Sequence, residues 1–477
     1  MKDSTTESGI PTLLQELIKL LEAHRPAFKQ ARPYWRMVGL VLAELFSFGR
    51  HTIAQGLLSL GQTMGDWSGW YRLFSRKRFG EEQLNQVLFW ETVQEVPATE
   101  PYVVGIDGTQ VHRSSLKMPG TSWLKAARTA AFRPGIERAQ RFLTGAWLTP
   151  LEQGYSRAIP LRFIPAFPPK AIPANEPARR EWEAGLLFLN WVRTELDRAG
   201  RSGQQILALA DGAFDVLALW RQLPAGVNLI SRTARNRALY WLPEPRSGPG
   251  RPASYGEKAP HPADWLHAGL RNWPTQQVLV RGKWIKMRYQ VLGPFVRDGL
   301  PERPVFLLVV KGMHRLVGTK KRRYKTRKPA FYLISAVQGG DSWQLPLPIE
   351  TILAWLWQRW ELEVAHREMK SGLGVGEKQC WNPRSAVVSV QWSVWVYAVL
   401  ILAGYRTWGL CGGPSCPAPW WPGAKRWSFN TLWRSYRAAL WGTPEFRPLW
   451  LGTGDNWWEK ETWLAGLANS VTASVRI

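Results

Sequence analysis

Residues 349–375 read IETILAWLWQRWELEVAHREMKSGLGV. Arg359, Glu363, Arg367 and Lys370 recur at steps of four, four and three, a spacing that stacks them on one face of a helix. One acid therefore stands among three bases. Trp355, Leu356, Trp357, Trp360 and Leu362 surround that face with bulk that a solvated helix does not need. Ser371-Gly372 and then Gly374 mark its end. Taken alone, the stretch reads most simply as a salt-bridged amphipathic helix, and the rest of the chain decides whether it carries chemistry.

A chain of 477 residues exceeds what one core usually supports, so two or three domains are expected. Lys and Arg number 62 against 36 Asp and Glu, leaving a net charge of +26. Such an excess points to a polyanionic partner, nucleic acid or an acidic membrane surface, without choosing between them. Thirty tryptophans beside so many arginines suit a surface that stacks on bases. Cys380, Cys411 and Cys416 are too few for a disulfide framework, and no CxxC or His cluster adjoins them, so reduced thiols in the cytoplasm are expected. The start, MKDSTTESG, carries charge and polar residues before any apolar run and does not read as a secretory signal. Ser385 to Gly404 is long and uncharged enough to span a membrane, yet Ser385, Ser389 and Ser393 form a polar stripe at helical spacing with Gln391 nearby. A buried core helix is the expected form, with no membrane partner.

Residues 1–97 read as helices at Ile10 to Glu22, Trp35 to Phe48, Thr52 to Met64 and Glu82 to Val96, with an aromatic and basic turn from Asp66 to Arg78 between the third and fourth. Short helices and such a turn suit a DNA-binding domain. Pro97 to Pro101 makes a linker. From Tyr102 the period shortens. Tyr102 to Ile106 reads as a buried strand ending on Asp107-Gly108, and Phe142 to Leu148 and Ile159 to Ile164 complete a three-stranded meander. Glu176 to Arg198 is an amphipathic helix, and Gln205 to Ala210 is a second buried strand that ends on an acid, Asp211. Two strands that each deliver an Asp at the carboxyl end put both carboxylates at one edge of a mixed sheet.

Phe214 to Arg221 reads as a helix and Val227 to Ser231 as a strand, followed by an irregular basic stretch with Arg232, Arg235, Arg237 and the Gly/Pro/Arg loop from Arg246 to Pro252. Apolar runs at Val278 to Val280, Trp284 to Leu292, Val305 to Val310 and Phe331 to Val337 mark a β-rich insertion. Lys311 to Lys328 holds nine Lys or Arg in eighteen residues with no acid, which suits a mobile loop tracking a phosphate backbone through Arg322, Arg323 and Lys325. Ser428 to Trp441 is a last helix, capped by Ser428 and bearing Arg434 and Arg437.

Asp107, Asp211 and Glu363 together make a ligand set for two divalent cations, since carboxylate oxygens are the donors Mg²⁺ prefers and two such ions serve in-line phosphoryl displacement. Arg359, Arg367 and Lys370 would then offset the charge of a bound phosphodiester. On these residues the chain resembles the Asp-Asp-Glu transposases of bacterial insertion sequences, in the branch marked by a Tyr-x2-Arg-x3-Glu-x6-Lys signature. Arg359, Glu363 and Lys370 fit its spacing, Leu356 stands at its Tyr position, and Ile106-Asp107-Gly108 and Leu209-Ala210-Asp211-Gly212 are similar to its two Asp motifs. Between Asp211 and Glu363 lie 151 residues, room for an insertion.

The resemblance covers roughly residues 35 to 445. It implies an α/β fold, a ribonuclease-H-like mixed sheet with a β-rich insertion, preceded by an all-helical N-terminal domain. The domains would be a helical DNA-binding domain at 1–97, a core at 98–232 and 347–405, the insertion at 233–346 and a Trp-rich helical region at 406–477. It further implies cut-and-paste transposition: strand cleavage at the ends of the element, then strand transfer into target DNA. The assembly would be a homodimer on double-stranded DNA in a bacterial cytoplasm, associated with the nucleoid, using two Mg²⁺ ions with Mn²⁺ as a substitute. Relatives in this branch pass through a DNA hairpin, with an aromatic residue receiving a flipped base; Trp284 and Trp343 are both open for that role. Two alternatives stand beside this one: a transposase-derived DNA-binding protein that no longer cuts, and another ribonuclease-H-fold nuclease.

Overall fold

A computed structural model describes residues 11–62, 64–126, 135–171, 177–244, 253–267, 273–312, 314–317, 323–326, 328–414 and 426–441. The described residues open with five α-helices, α1 (Thr12–Ala23), α2 (Ala31–Phe46), α3 (Ile53–Ser59), α4 (Ser68–Ser75) and α5 (Glu81–Val93). Leu13, Leu14, Leu17, Leu20 and Leu21 give α1 one buried stripe, and the Thr52 hydroxyl caps α3 by accepting the Gln55 N–H at 3.1 Å. The stretch expected as a turn between Asp66 and Arg78 is instead mostly the helix α4. The Asp66 carboxylate accepts the Ser68 N–H at 2.8 Å just ahead of its first turn, and Leu73 and Phe74 are buried, so local capping and one apolar edge make a helix of it.

The central sheet begins with β1 (Tyr102–His112), β2 (Thr121–Lys125), β3 (Ile136–Leu148) and β4 (Ala158–Pro165). After α6 (Glu181–Arg198) come β5 (Ile206–Ala210), α7 (Leu217–Gln222) and β6 (Val227–Arg232). The expected meander is present: β4, β3 and β1 are antiparallel neighbours, with β2 added beyond it on β3. β5 then lies parallel to β1 and β6 parallel to β5. All five residues of β5 are buried, the pattern of a parallel strand covered on both faces.

The remaining strands are β7 (Tyr240–Trp241), β8 (Thr275–Val280), β9 (Lys283–Arg297), β10 (Leu300–Val310), β11 (His314–Val317), β12 (Arg323–Thr326), β13 (Ala330–Ser335), β14 (Val337–Gly339) and β15 (Ser342–Gln344). The β-rich stretch does not stand apart from the sheet. β13 pairs with β6 through Tyr332↔Arg232, Leu333↔Ser231 and Ile334↔Ile230, which carries the sheet on to eleven strands and removes the open edge β6 would otherwise present. The basic run expected as a loop holds an antiparallel pair, β11 with β12, because Leu316, Val317 and Tyr324 interrupt its charge with residues that favour extended backbone.

The last helices among the described residues are α8 (Ile349–Gln358), α9 (Trp360–Ser371), α10 (Pro383–Trp408) and α11 (Phe429–Trp441). Among the described residues α10 is the one helix long and apolar enough to cross a membrane, and 94% of its most apolar window is buried inside the protein, against α1, α5 and β4 among others. Its serine stripe has a partner. Lys378 Nζ donates to Ser393 Oγ at 3.1 Å, to Glu44 Oε1 at 2.8 Å and to the His51 carbonyl at 2.8 Å, all below the surface. His51 Nδ1 also meets Glu44, so the segment after α9 is fastened to α2. Ser428 caps α11 as expected, accepting the Thr431 N–H at 3.1 Å, and one continuous apolar core runs from Leu13 to Leu440.

Candidate active site

The stretch 349–375 is not one helix but two, because the hydrogen-bond ladder breaks at Arg359. That residue keeps helical angles, φ −53° and ψ −33°, so the polar stripe continues across the break. Three acids on α9 go separate ways. Glu361 and Glu368 lie seven residues apart and so share one face, while Glu363 points across the helix from them. Glu361 is 2% exposed and takes Arg281 at 3.2 Å and Arg426 at 2.7 Å. Glu368 takes Arg157 at 2.7 Å and the Tyr397 hydroxyl at 2.7 Å. Both are committed to the core, and Glu363 alone turns toward Asp107.

Asp107 is not at a strand end. β1 continues through Asp107-Gly-Thr-Gln-Val-His, because β3 is long enough to pair it as far as His112↔Ala139. Asp107 therefore sits mid-strand, opposite Thr144. Asp211 follows β5 directly, and since Ala210 is in register with Ile106, the two aspartates fall on adjacent parallel strands. Asp211 Oδ1 accepts the Ala213 N–H at 2.8 Å.

Arg359 joins the acids: it donates to Glu363 Oε1 at 2.7 Å and stands 3.6 Å from Asp107 Oδ2. Burial, with the charges of Asp211 and Glu363, pushes the Asp107 carboxyl up to about 7 against the opposing pull of Arg359. Lys370 Nζ donates to Thr109 Oγ1 at 2.8 Å, and His366 Nε2 meets Thr144 Oγ1 at 2.7 Å. Burial, then Lys370 and Arg359, hold His366 down to about 3, so it is neutral and adds no charge to the site. α9 approaches β1 this closely because Gly105 has no side chain; a Cβ there would stand 2.6 Å from Leu362 Cδ1.

Two further groups escaped the sequence reading. A Cβ on Gly108 would stand 2.6 Å from the carboxylate of Glu181, which therefore lies against the residue that follows Asp107, on the other side of the sheet from α9. Burial and Asp211 raise Glu181, and Arg141 counters them from 3.2 Å, an ion-pair distance without the alignment of a hydrogen bond. The one sequence cue to Glu181 is its place in an acidic first turn of a helix between the two Asp strands.

A family model for the DDE superfamily endonucleases matches residues 25–288, more than half of the chain. The chain belongs to that family. No curated protein matches it. DDE endonucleases generally use divalent metal ions and act on DNA. The matched span of this DDE endonuclease includes Asp107, Glu181 and Asp211 and stops before Glu363, which rests on geometry and spacing. The donor set suits hard cations, being carboxylate oxygen throughout, and the Arg359 guanidinium is itself a cation between two of the acids. Among the described residues no three His, Cys, Asp or Glu side chains converge tightly enough to chelate an ion. Repulsion among like charges and the interposed guanidinium account for that spacing.

The other expected residues of this DDE endonuclease lie as follows. Arg367 is exposed on α9 and forms no ion pair among the described residues. Leu356, at the Tyr position, is half-buried and lines a cavity of about 30 Å³ with Met287, Tyr332 and Trp357. Arg323 and Lys325 belong to β12, and Arg322 and the Gly/Pro/Arg loop at 246–252 fall outside the described residues. Trp284 is 68% exposed on β9, whereas Trp343 on β15 packs half-buried against the core.

Proposed function

We propose that this DDE endonuclease is the transposase of a bacterial insertion sequence, cutting DNA at the ends of its element and joining them to a target. The observation that carries this reading is that Arg359 bridges Asp107 and Glu363 while Asp211, at the end of the strand parallel to β1, lies near enough for its charge to act on both Asp107 and Arg359. Three antiparallel strands followed by two parallel ones support a ribonuclease-H-like core at 98–232 and 347–405. The helices of 1–97 are read as the DNA-binding domain, 233–346 as the insertion, and 406–477 as a Trp-rich helical region.

In this reading Asp107, Asp211 and Glu363 hold two Mg²⁺ ions, for which Mn²⁺ can substitute. When bound, such ions supply Lewis acidity to phosphate oxygens and a nucleophile at neutral pH. The rest is the work of the chain. Arg359 exchanges its carboxylates for the phosphodiester, Thr109 keeps the Lys370 ammonium directed at the same strand, and exposed Arg367 takes a neighbouring phosphate. Water adds at phosphorus and the bond to the departing 3′ oxygen breaks, leaving a 5′ phosphate and a free 3′ hydroxyl; that hydroxyl then attacks a target phosphodiester, whose own P–O3′ bond breaks to release a target 3′ hydroxyl. A homodimer would bring two ends together, and Arg322, Arg323 and Lys325 would follow the backbone outside the cut.

The test is nicking of a plasmid that carries the DNA flanking the gene, run beside a gel shift at matched salt. Replacing Asp107, Asp211 or Glu363 with Ala should abolish nicking and leave DNA binding in place, and chelator should abolish nicking by the wild type. A wild-type nicking rate in Asp107→Ala or Glu363→Ala would refute the three-acid assignment. Leu356 at the Tyr position favours a second reading, a descendant that binds element ends without cutting; it predicts binding with no metal-dependent nick from the intact chain.

A further inference from the structure

β3 runs past the end of β1 and there pairs with β2, from Thr121↔Gln140 to Lys125↔Ile136. Side chains alternate along a strand, and β3 pairs β1 and β2 without a register shift from Ile136 to Trp147. Thr144, Gln140, Arg138 and Ile136 therefore share one face, and it is the face of Asp107, which lies opposite Thr144. Trp123 faces Arg138 across the pair and Lys125 faces Ile136, so all four project on the same side.

That side is open. Trp123 is 63% exposed and Ile136 70%, with Leu116 beside them at 66%. The Arg138 guanidinium sits 5.9 Å from the Trp123 ring centroid and donates to the Leu116 carbonyl at 2.8 Å. No acid lies among the four; Glu137 faces the other way, its carboxylate 3.8 Å from His112. Two cations framing an exposed indole and a branched aliphatic side chain complement a polyanion with flat, apolar bases and sugars.

Resting on the reading of this chain as a DNA-cutting enzyme, we infer that this β2–β3 ribbon is a DNA grip that holds the substrate a fixed distance from the cut. Arg138 lies six residues beyond Thr144 on β3, about 20 Å at ~3.4 Å per residue. The same length spans about six base pairs of duplex at ~3.4 Å each. Lys125 and Arg138 take phosphates there, and Trp123 and Ile136 pack against the sugars and base edges between them.

The test uses the full chain and a fluorescein-labelled duplex of about 30 bp, with anisotropy titrations between about 50 and 300 mM NaCl. Lys125→Gln with Arg138→Gln should lower the slope of log affinity against log salt by about two. Trp123→Ala should weaken binding about tenfold with little change in slope, and Trp123→Phe should restore most of it. Lys125→Gln and Trp123→Ala alter exposed side chains, so a folding defect in the Arg138 variant does not blunt the test. Wild-type slope and affinity in these variants would overturn the inference. So would unchanged DNA affinity with a lower mass in sedimentation, which would make the ribbon a contact between copies of the chain. Hydroxyl-radical footprints on a nicked product should lose protection about six base pairs from the nick in the variants, and loss at the nick instead would overturn the placement. If the wild type never nicks in Mg²⁺ while the ribbon variants still lose affinity, the cutting reading fails and the grip stands.

Discussion

Replacing Asp107 with Asn should make the metal-free protein more stable while ending its activity. The Asp107 carboxyl is raised from 3.8 to about 7 in the fold, first by burial and then by Asp211 and Glu363. A raised carboxyl means that the folded state prefers the proton. Its contribution is most favourable below pH 3.8 and is lost as pH climbs through about 7. Three units correspond to about 4 kcal/mol of destabilisation at pH 8, with roughly 2–3 kcal/mol of it developing between pH 5 and 8. Asn removes the charge and keeps the shape, and Glu363 still holds Arg359 at 2.7 Å. At an unfolding entropy of about 2.1 cal/mol/K per residue, the variant should melt about 3–4 °C above the wild type at pH 8 in EDTA. The gap should narrow at pH 5. Calorimetry at the two pH values measures it, and added Mn²⁺ should raise the wild-type Tm alone. A variant that melts at or below the wild type at pH 8 would show Asp107 to be a structural partner of Arg359, and the metal-ligand assignment would lose its physical basis.

Arg359→Gln should strengthen Mn²⁺ binding to the DNA-free protein by roughly tenfold, since one positive charge leaves the carboxylates, and should weaken cleavage; titration followed by electron paramagnetic resonance would refute this with an unchanged Kd. Lys378→Met should cost about 3–5 kcal/mol in chemical denaturation because Glu44 stays buried with His51 alone, and adding Glu44→Gln should recover part of it. Replacing Arg322, Arg323 and Lys325 with Ala together should lower the salt slope of DNA binding by about one per lost phosphate contact. An unchanged slope would mark the basic run as a solvated surface.

The helical half of the site was legible because a four-four-three spacing of charged residues survives any tertiary context, and the break at Arg359 leaves it intact. Asp211 was legible for a similar reason: five apolar residues and then an acid describe a strand buried on both faces that surfaces once. Asp107 was misplaced because the polar residues after it belong to β1 only by virtue of the length of β3, a partner about 35 residues away. Glu181 and Arg141 were hidden because their nearness to Asp107 and Asp211 arises from packing across the sheet. The choice of Glu363 over Glu361 and Glu368 could be read from helical period together with the Arg and Lys spacing. What the other two acids hold could not, since their partners come from the β8–β9 turn, the segment just before β4, α10 and the segment before α11. Likewise no local pattern announces that β13 docks on β6.

The knot of Glu44, His51, Lys378 and Ser393 bears on how such an enzyme could be redirected to new sequences. A reader domain on a flexible tether can be exchanged like a tool bit, because cutting it away leaves no unpaired charge behind. Here α2 supplies the carboxylate that neutralises an ammonium rooted a few residues past α9, deep beneath α10. Excising the first helices would leave Lys378 buried without its carboxylate and loosen the segment that follows α9. On the proposal that these helices read DNA, grafting a new reader is closed to this architecture, and new specificity would be written side chain by side chain at Tyr71 and Arg72 on α4 and Arg76 just past it, all of which face solvent.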